Sequence, residues 1–229
     1  MRVEDEAAPV VVDRRAGAAG EVVLRRRGAH YEIIANGCFL MDTADGRSER
    51  LLVDAALQAL DGIGGGARPS VLLGGLGVGF SLARAVAEPR WGRITVVERD
   101  PAVVDWHRQG RFTPYCGDVL SDPRVRLIAQ DLLEYLHRTG DSYDALCLDI
   151  DNGPDWTVTE NNGSLYSPSG LGACRNRLSP GGVLAVWSAQ PSAAFEVALR
   201  SAGFERVHTL EIPVARGVPD VVHLAHRAS

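Results

Sequence analysis

Lysine is absent: all 24 basic residues counted in the 229-residue chain are arginines. That absence excludes a Schiff-base lysine, a lysine nucleophile and the phosphate-gripping lysine of a P-loop. Cysteine is scarce and scattered. Cys38, Cys116, Cys147 and Cys174 form no C-x-x-C pair, so buried reduced thiols are expected rather than a disulfide or zinc set. No apolar run approaches the roughly 18 residues that a membrane helix requires, and the amino-terminal residues lack a charged-then-apolar leader, so the expected location is the cytoplasm, away from membranes. Positive charge is not in excess either. A formal net charge of −5 argues against a nucleic-acid-wrapping surface, despite the local stretch Arg25-Arg26-Arg27. What remains is ordinary globular composition, 45% hydrophobic and 23% charged, which suits one sizeable α/β domain with a small extension.

The most informative stretch runs from Val71 to Glu98. The apolar run Val71-Leu-Leu ends in closely spaced glycines, an amphipathic segment follows from Ser81, and a second apolar run, Ile94-Thr-Val-Val, ends in Glu98. This spacing predicts strand, tight turn, helix and strand. Gly74, Gly75, Gly77 and Gly79 free the backbone to turn with positive φ and let a ligand lie directly against the main chain. Glu98 would close the second strand, where its oxygens can accept from the two hydroxyls of a ribose. A dinucleotide fingerprint needs a third glycine where Phe80 stands, which disfavours NAD. A G-x-G-x-G loop with an acid closing the next strand is instead the usual layout of S-adenosylmethionine-type transferases.

Before this core, residues 1–20 lack sustained periodicity and are expected to be a mobile terminus. Short β-rich runs at Val22–Leu24, Tyr31–Ile34 and Cys38–Met41, with Asn36-Gly37 as a hairpin turn, predict a small antiparallel cap. Ser48 is a good N-cap for a linking helix over 50–60. The cap and this helix occupy 21–62, and 63–229 is the expected cofactor-binding catalytic domain. Its strands are expected near 71–74, 94–98, 125–128, 143–148 and 183–187, alternating with helices near 81–86, 101–109, 131–136, 168–178 and 191–202. A closing hairpin covers 205–213 and 219–225. The expected fold is therefore α/β, a doubly wound, mostly parallel, Rossmann-like seven-stranded methyltransferase sheet with a small N-terminal β-hairpin cap. An exposed edge strand in the cap would offer a homodimer surface.

In such a sheet, ligands sit beyond the carboxyl ends of the strands. Asp131, after the third strand, is placed either to accept from the adenine amine or to cap the following helix, with Leu132 as an apolar wall. The fourth strand ends in Asp149-Ile-Asp-Asn-Gly-Pro-Asp-Trp156. Asp149 is the candidate catalytic residue, a carboxylate to hold an acceptor amine and take its proton, for which no raised pKa is required. Asp151, Asn152 and Trp156 would form the acceptor pocket and its gate, with 152–164 as a lid. A metal site at Asp149 and Asp151 is disfavoured, because nothing resembling a histidine partner lies nearby.

These residues together resemble the spermidine synthase group of class I transferases, from about Glu21 to Phe204. The cap segment Tyr31–Gly37 with Leu40-Met41 and Ser48-Glu49, the loop Val71–Gly79, Val96-Val-Glu-Arg-Asp100, Gln130-Asp131, Tyr143-Asp144 through Asp149, Leu165-Tyr166 and Leu178–Gly182 carry the likeness. The resemblance implies an adenosyl sulfonium cofactor, a small amine acceptor and Glu49 as an acceptor-side residue. Three departures fall in the acceptor half. The family's loop aspartate, which faces the aminopropyl ammonium of the decarboxylated cofactor, is here Gly77. The family's pair of acids after the fourth strand is altered in spacing, and its groove tyrosine is replaced by Arg47. Loss of the aspartate favours intact S-adenosylmethionine and transfer of a methyl or other alkyl group. The alternatives are a polyamine aminopropyltransferase using decarboxylated S-adenosylmethionine and a non-catalytic binding protein, which Asp149 argues against.

Overall fold

The computed structural model describes residues 8–61, 68–157, 160–214 and 217–229. The cap is a four-stranded antiparallel meander, β1 (Val10–Gly17), β2 (Gly20–Arg27), β3 (His30–Ala35) and β4 (Cys38–Asp42), paired in that order. Asn36 and Gly37 join the last two strands with φ of 50° and 79°, the pair of positive values that a type I′ hairpin demands. Val22, Leu24 and Ile33 point from one face of this sheet into the main core.

While residues 1–7 lie outside the described residues, the expectation of a mobile stretch over residues 1–20 is corrected over Val10–Gly17 by β1. Its register with β2 runs from Val10↔Arg26 to Gly17↔Gly20, with an irregularity between Val11 and Asp13. No apolar alternation marks this strand, because Val12 packs on the core while the half-buried Asp13 and Arg15 beside it are charged groups with distant partners. Asp13 accepts from the Trp106 indole N–H at 2.8 Å, and Arg15 reaches Asp105 at 2.8 Å.

The main sheet has the order β10-β11-β9-β8-β5-β6-β7. β5 (Ser70–Gly74), β6 (Arg93–Glu98), β7 (Val125–Ala129), β8 (Tyr143–Leu148) and β9 (Leu178–Ser188) run parallel, and the hairpin β10 (Phe204–Ile212) and β11 (Asp220–Arg227) adds antiparallel to β9. The central strands are continuous apolar runs because both faces are covered. Along β5, Val71 and Leu73 join one core while Leu72 joins the other, the period-two alternation of a strand. Among the described residues seven α-helices accompany the sheet: α1 (Arg47–Asp61), α2 (Phe80–Ala87), α3 (Pro101–Arg108), α4 (Thr113–Cys116), α5 (Leu132–Arg138), α6 (Pro168–Arg177) and α7 (Ala193–Ser201). Among the described residues no helix is long and apolar enough to cross a membrane.

Two boundaries differ from expectation. α1 begins before Ser48: the Asp45 carboxylate accepts from Arg47 N at 3.1 Å, and the Arg50 N–H bonds the Gly46 carbonyl. Ser48 Oγ, released from capping, donates to Asp220 at 2.7 Å. The Ser179-Pro-Gly-Gly182 segment, which precedes the strand expected near 183–187, is the irregular start of β9, where the register with β8 breaks between Tyr143 and Ala145. Elsewhere the caps are as the residue types suggest, with Asp100 accepting from Ala102 N at 2.9 Å and Pro101 opening α3.

β5 is flanked by β8 on one side and β6 on the other. The chain leaves β5 toward β6 and β7, then returns to β8, so the crevice at the carboxyl ends of β5 and β8 is the topological switch point.

Candidate active site

At that crevice the cap and the sheet enclose a cavity of about 700 Å³. Its floor is built by hydrogen bonds between neighbouring strand ends: Asp149 N donates to Gly74 O at 3.0 Å, and Gly75 N to Val97 O at 2.9 Å. Gly75 has φ of 94°, and a Cβ there would lie 2.6 Å from the Asp149 carbonyl oxygen, a backbone atom that cannot yield. Gly77, also at positive φ, faces Met41 Sδ, which accepts from Val78 N at 3.2 Å and thereby seats β4 on the loop. Of the four expected glycines, Gly75 and Gly77 line the cavity. Gly74 instead packs against Leu132 and Leu148, and Gly79 against His107 and Cys116.

Glu98 closes β6 and is nearly buried. Its two oxygens accept from Leu76 N at 2.9 Å and Asp100 N at 2.7 Å, so the carboxylate holds the loop closed. Two backbone bonds leave further lone pairs for ribose hydroxyls. Burial raises its pKa above the usual carboxylate value, even though both backbone bonds pull it down. Asp131 caps α5, accepting from Glu134 N at 3.0 Å, and it lines the cavity beside Leu132.

On the opposite side lie Asp149 and Glu49. Burial, with the charge of Asp220 next, pushes the Asp149 carboxyl up to about 7, although the expected role does not require a raised value. Burial and then Asp149 push Glu49 up to about 8. Asp151 sits at φ of 52° and accepts from Asn162 Nδ2 at 2.7 Å, while Asn162 Oδ1 accepts from Arg99 at 3.0 Å. This chain ties the segment after β8 to the end of β6. Asn152 is nearly buried and lines the cavity; Trp156 is exposed and does not. Of the expected lid over 152–164, residues 158 and 159 lie outside the described residues, and 160–166 form a 3₁₀ segment.

Met41, His107, Arg99, Asn162 and Asp220 were not legible in the sequence as site residues. His107 donates from Nε2 to Gly77 O at 2.8 Å, its imidazole held neutral by burial, which lowers its pKa. Asp220 enters at the first residue of β11, and no local motif marks it.

Among the described residues the cavity is lined by nine carboxylates against two guanidiniums, Arg47 and Arg99. Glu98, Asp100 and Asp131 lie on the β6–β7 side; Asp42, Asp45, Glu49, Asp149, Asp151 and Asp220 lie toward the cap, β8 and β11. Such a lining attracts cations and disfavours anionic ligands.

The model of the spermine/spermidine synthase domain matches residues 60–201. The chain belongs to this family. Among relatives, it is 29% identical over 185 residues to the polyamine aminopropyltransferase of Mycobacterium tuberculosis (strain CDC 1551 / Oshkosh), covering 79% of this chain and 33% of that one. It is 31% identical over 175 residues to polyamine aminopropyltransferase 2 of Pseudomonas aeruginosa, covering 72% and 46%. The chain thus spans about a third to a half of the length of these relatives. The solved spermidine synthase of Thermotoga maritima superimposes with a TM-score of 0.75 at 15% identity, covering 95% of this chain and 73% of that one, a likeness of fold. Within the spermine/spermidine synthase family, the match leaves Glu49 and Asp220 outside its bounds.

Proposed function

We propose that this family member transfers an aminopropyl group from decarboxylated S-adenosylmethionine to a small amine. The single observation that carries the reading is the charge of the cavity, nine carboxylates against two guanidiniums among the described residues. The decarboxylated cofactor carries a sulfonium and an ammonium, and the acceptor is itself a cationic amine, so both suit this lining. The relatives named aminopropyltransferases support the same choice over the methyl transfer from intact cofactor that the sequence alone favoured.

The residues suit the cofactor. Gly75 allows main-chain contact, Glu98 retains lone pairs for a ribose, and Leu132 with Val97 supplies apolar walls for a purine. A bound adenosyl sulfonium supplies an electrophilic carbon and a neutral thioether leaving group. Asp149 holds the acceptor ammonium beside that carbon and takes a proton from its nitrogen, the free electron pair then forming the N–C bond as the C–S pair passes to sulfur. A carboxyl titrating near 7 is better matched to this proton than an ordinary one. The Asp151–Asn162–Arg99 chain fixes the wall on which Asp149 stands, and Phe39 and Leu40 of the cap add apolar lining to the cavity.

Methyl transfer remains the second reading because one observation favours it: no side chain in the glycine loop opposes the carboxylate of the intact cofactor. Titration calorimetry with both cofactors separates the two. The aminopropyl reading expects at least about tenfold tighter binding of the decarboxylated form, about 1.4 kcal/mol; tighter binding of the intact form contradicts it.

A further inference from the structure

The cation at the end of an aminopropyl chain needs a counter-charge, and the glycine loop cannot give one. Residues 74–79 carry no charged side chain. Their main-chain groups are largely occupied as well: Leu76 N on Glu98, Val78 N on Met41, Gly79 N on Leu76 O, and the Gly77 carbonyl on His107. The anchor must come from outside the loop.

The element that lies against the loop is the first turn of α1. Ser81 Oγ, at the start of α2, donates to the Glu49 carbonyl at 3.2 Å, the Arg50 guanidinium stands 4.5 Å from the Phe80 ring centroid, and Gly46 is pressed on the same ring. This contact brings Glu49 to the end of the glycine loop, lining the same cavity as Gly77 and Asp149.

Commitment of the other acids narrows the choice. Asp100 and Asp131 cap helices, Glu98 holds two backbone amides, and Asp45 pairs with Arg47 at 2.6 Å. Asp42 accepts from Ala44 N, Asp151 from Asn162 and Asp220 from Ser48. Among the described residues only Glu49 and Asp149 line the cavity without another residue as hydrogen-bond partner for the carboxylate. Two uncommitted carboxyl groups face a site that, on the aminopropyl reading, holds two ammonium groups.

We propose that Glu49 is the counter-ion of the cofactor's terminal ammonium, a specificity-determining residue that selects the decarboxylated cofactor, while Asp149 serves the acceptor. This assignment moves Glu49 from the acceptor side to the cofactor side, and it rests on the aminopropyl reading above. Burial and then the neighbouring Asp149 charge leave Glu49 largely protonated at neutral pH when the site is free, and an ammonium placed beside it favours loss of that proton.

Calorimetry on the full chain with two probes tests it: decarboxylated S-adenosylmethionine, which has the ammonium, and methylthioadenosine, which lacks the aminopropyl arm. Glu49→Gln is expected to weaken the first at least about tenfold while methylthioadenosine binding changes less than about twofold, a difference equal to one charge-assisted contact. Retained methylthioadenosine binding also certifies the fold. Equal loss for both probes, or no loss for either, overturns the proposal. If Glu49→Gln does not fold, Glu49→Asp, which withdraws the carboxylate by one methylene, supplies the same ratio, a selective drop supporting the assignment and an unchanged ratio overturning it. Failure of the underlying reading has a different signature: the wild-type chain then binds intact S-adenosylmethionine more tightly than the decarboxylated form.

Discussion

Replacing Asp149 by asparagine separates binding from chemistry. The side chain keeps its shape and loses its ability to take a proton, so turnover should fall by about 10²–10⁴-fold with cofactor affinity nearly unchanged. Steady-state rates and calorimetry check the two halves of that statement, and unchanged turnover would remove Asp149 from the mechanism. The same variant should be more stable than wild type at pH 8. The Asp149 carboxyl titrates near 7 in the fold, above its unfolded value, so the folded state loses stability as pH rises through that range. Removing the charge should recover about 1 kcal/mol after allowance for cavity water, roughly 2–4 °C in Tm. Gly75 offers the opposite experiment. Gly75→Ala forces a Cβ to within 2.6 Å of the Asp149 carbonyl at a positive φ and should destabilise by about 2 kcal/mol or more, read in urea unfolding. Residues such as Gly75 and Glu98 were legible because their chemistry is local: a turn that needs φ above zero, an acid at a strand end. Met41, His107 and Asp220 were not, because each acquires its role only when a distant element is packed against the loop or the cavity.

At the scale of elements, parallel strands buried on both faces announced themselves as apolar runs ending in glycine or acid, and β5, β6, β8 and their helices lie close to where periodicity put them. β1 escaped because it is an edge strand with Val10 and Val11 exposed, and because its anchoring residues are charged. Its attachment to α3 runs through Asp13, whose pKa is lowered by the hydrogen bond from Trp106 first and by Arg15 as well. Asp13→Ala should therefore cost about 1.5–3 kcal/mol, the range for a hydrogen bond to a charged group, and should raise amide exchange along β1 and β2 without touching the cavity. Unchanged exchange in these strands would show that the Asp13–Trp106 contact does not hold the cap. The start of α1 was misplaced by one turn signal: Ser48 has the chemistry of a cap, yet Asp45 takes that role and Ser48 turns to Asp220. That exchange ties α1 to the β10–β11 hairpin across the cavity mouth.

The whole molecule carries opposed pH dependences. Hydrogen bonds from Arg27 and Arg25 hold Glu32 below its ordinary value although burial opposes them, and hydrogen bonds from Arg124 do the same for Asp122. Their stabilisation is present above the unfolded carboxylate pKa and is lost as pH falls below about 4. Glu49 and Asp149 work the other way, with folded values of about 8 and about 7, so their contribution fades as pH rises from about 4 through 8. The ligand-free protein should be most stable at mildly acid pH, and thermal melts from pH 5 to 8.5 should show Tm declining. Saturating decarboxylated cofactor should flatten that decline, because a bound cation offsets the paired charges. A Tm that rises steadily to pH 8.5 without ligand would contradict the burial of these two acids.

The most direct test of the account is the product formed. Incubation with decarboxylated S-adenosylmethionine and a small diamine, followed by mass spectrometry, should yield an acceptor heavier by one aminopropyl group together with methylthioadenosine, and the Asp149→Asn protein should yield neither. An acceptor heavier by a methyl group on incubation with intact S-adenosylmethionine, with no aminopropyl product from the decarboxylated form, would contradict it.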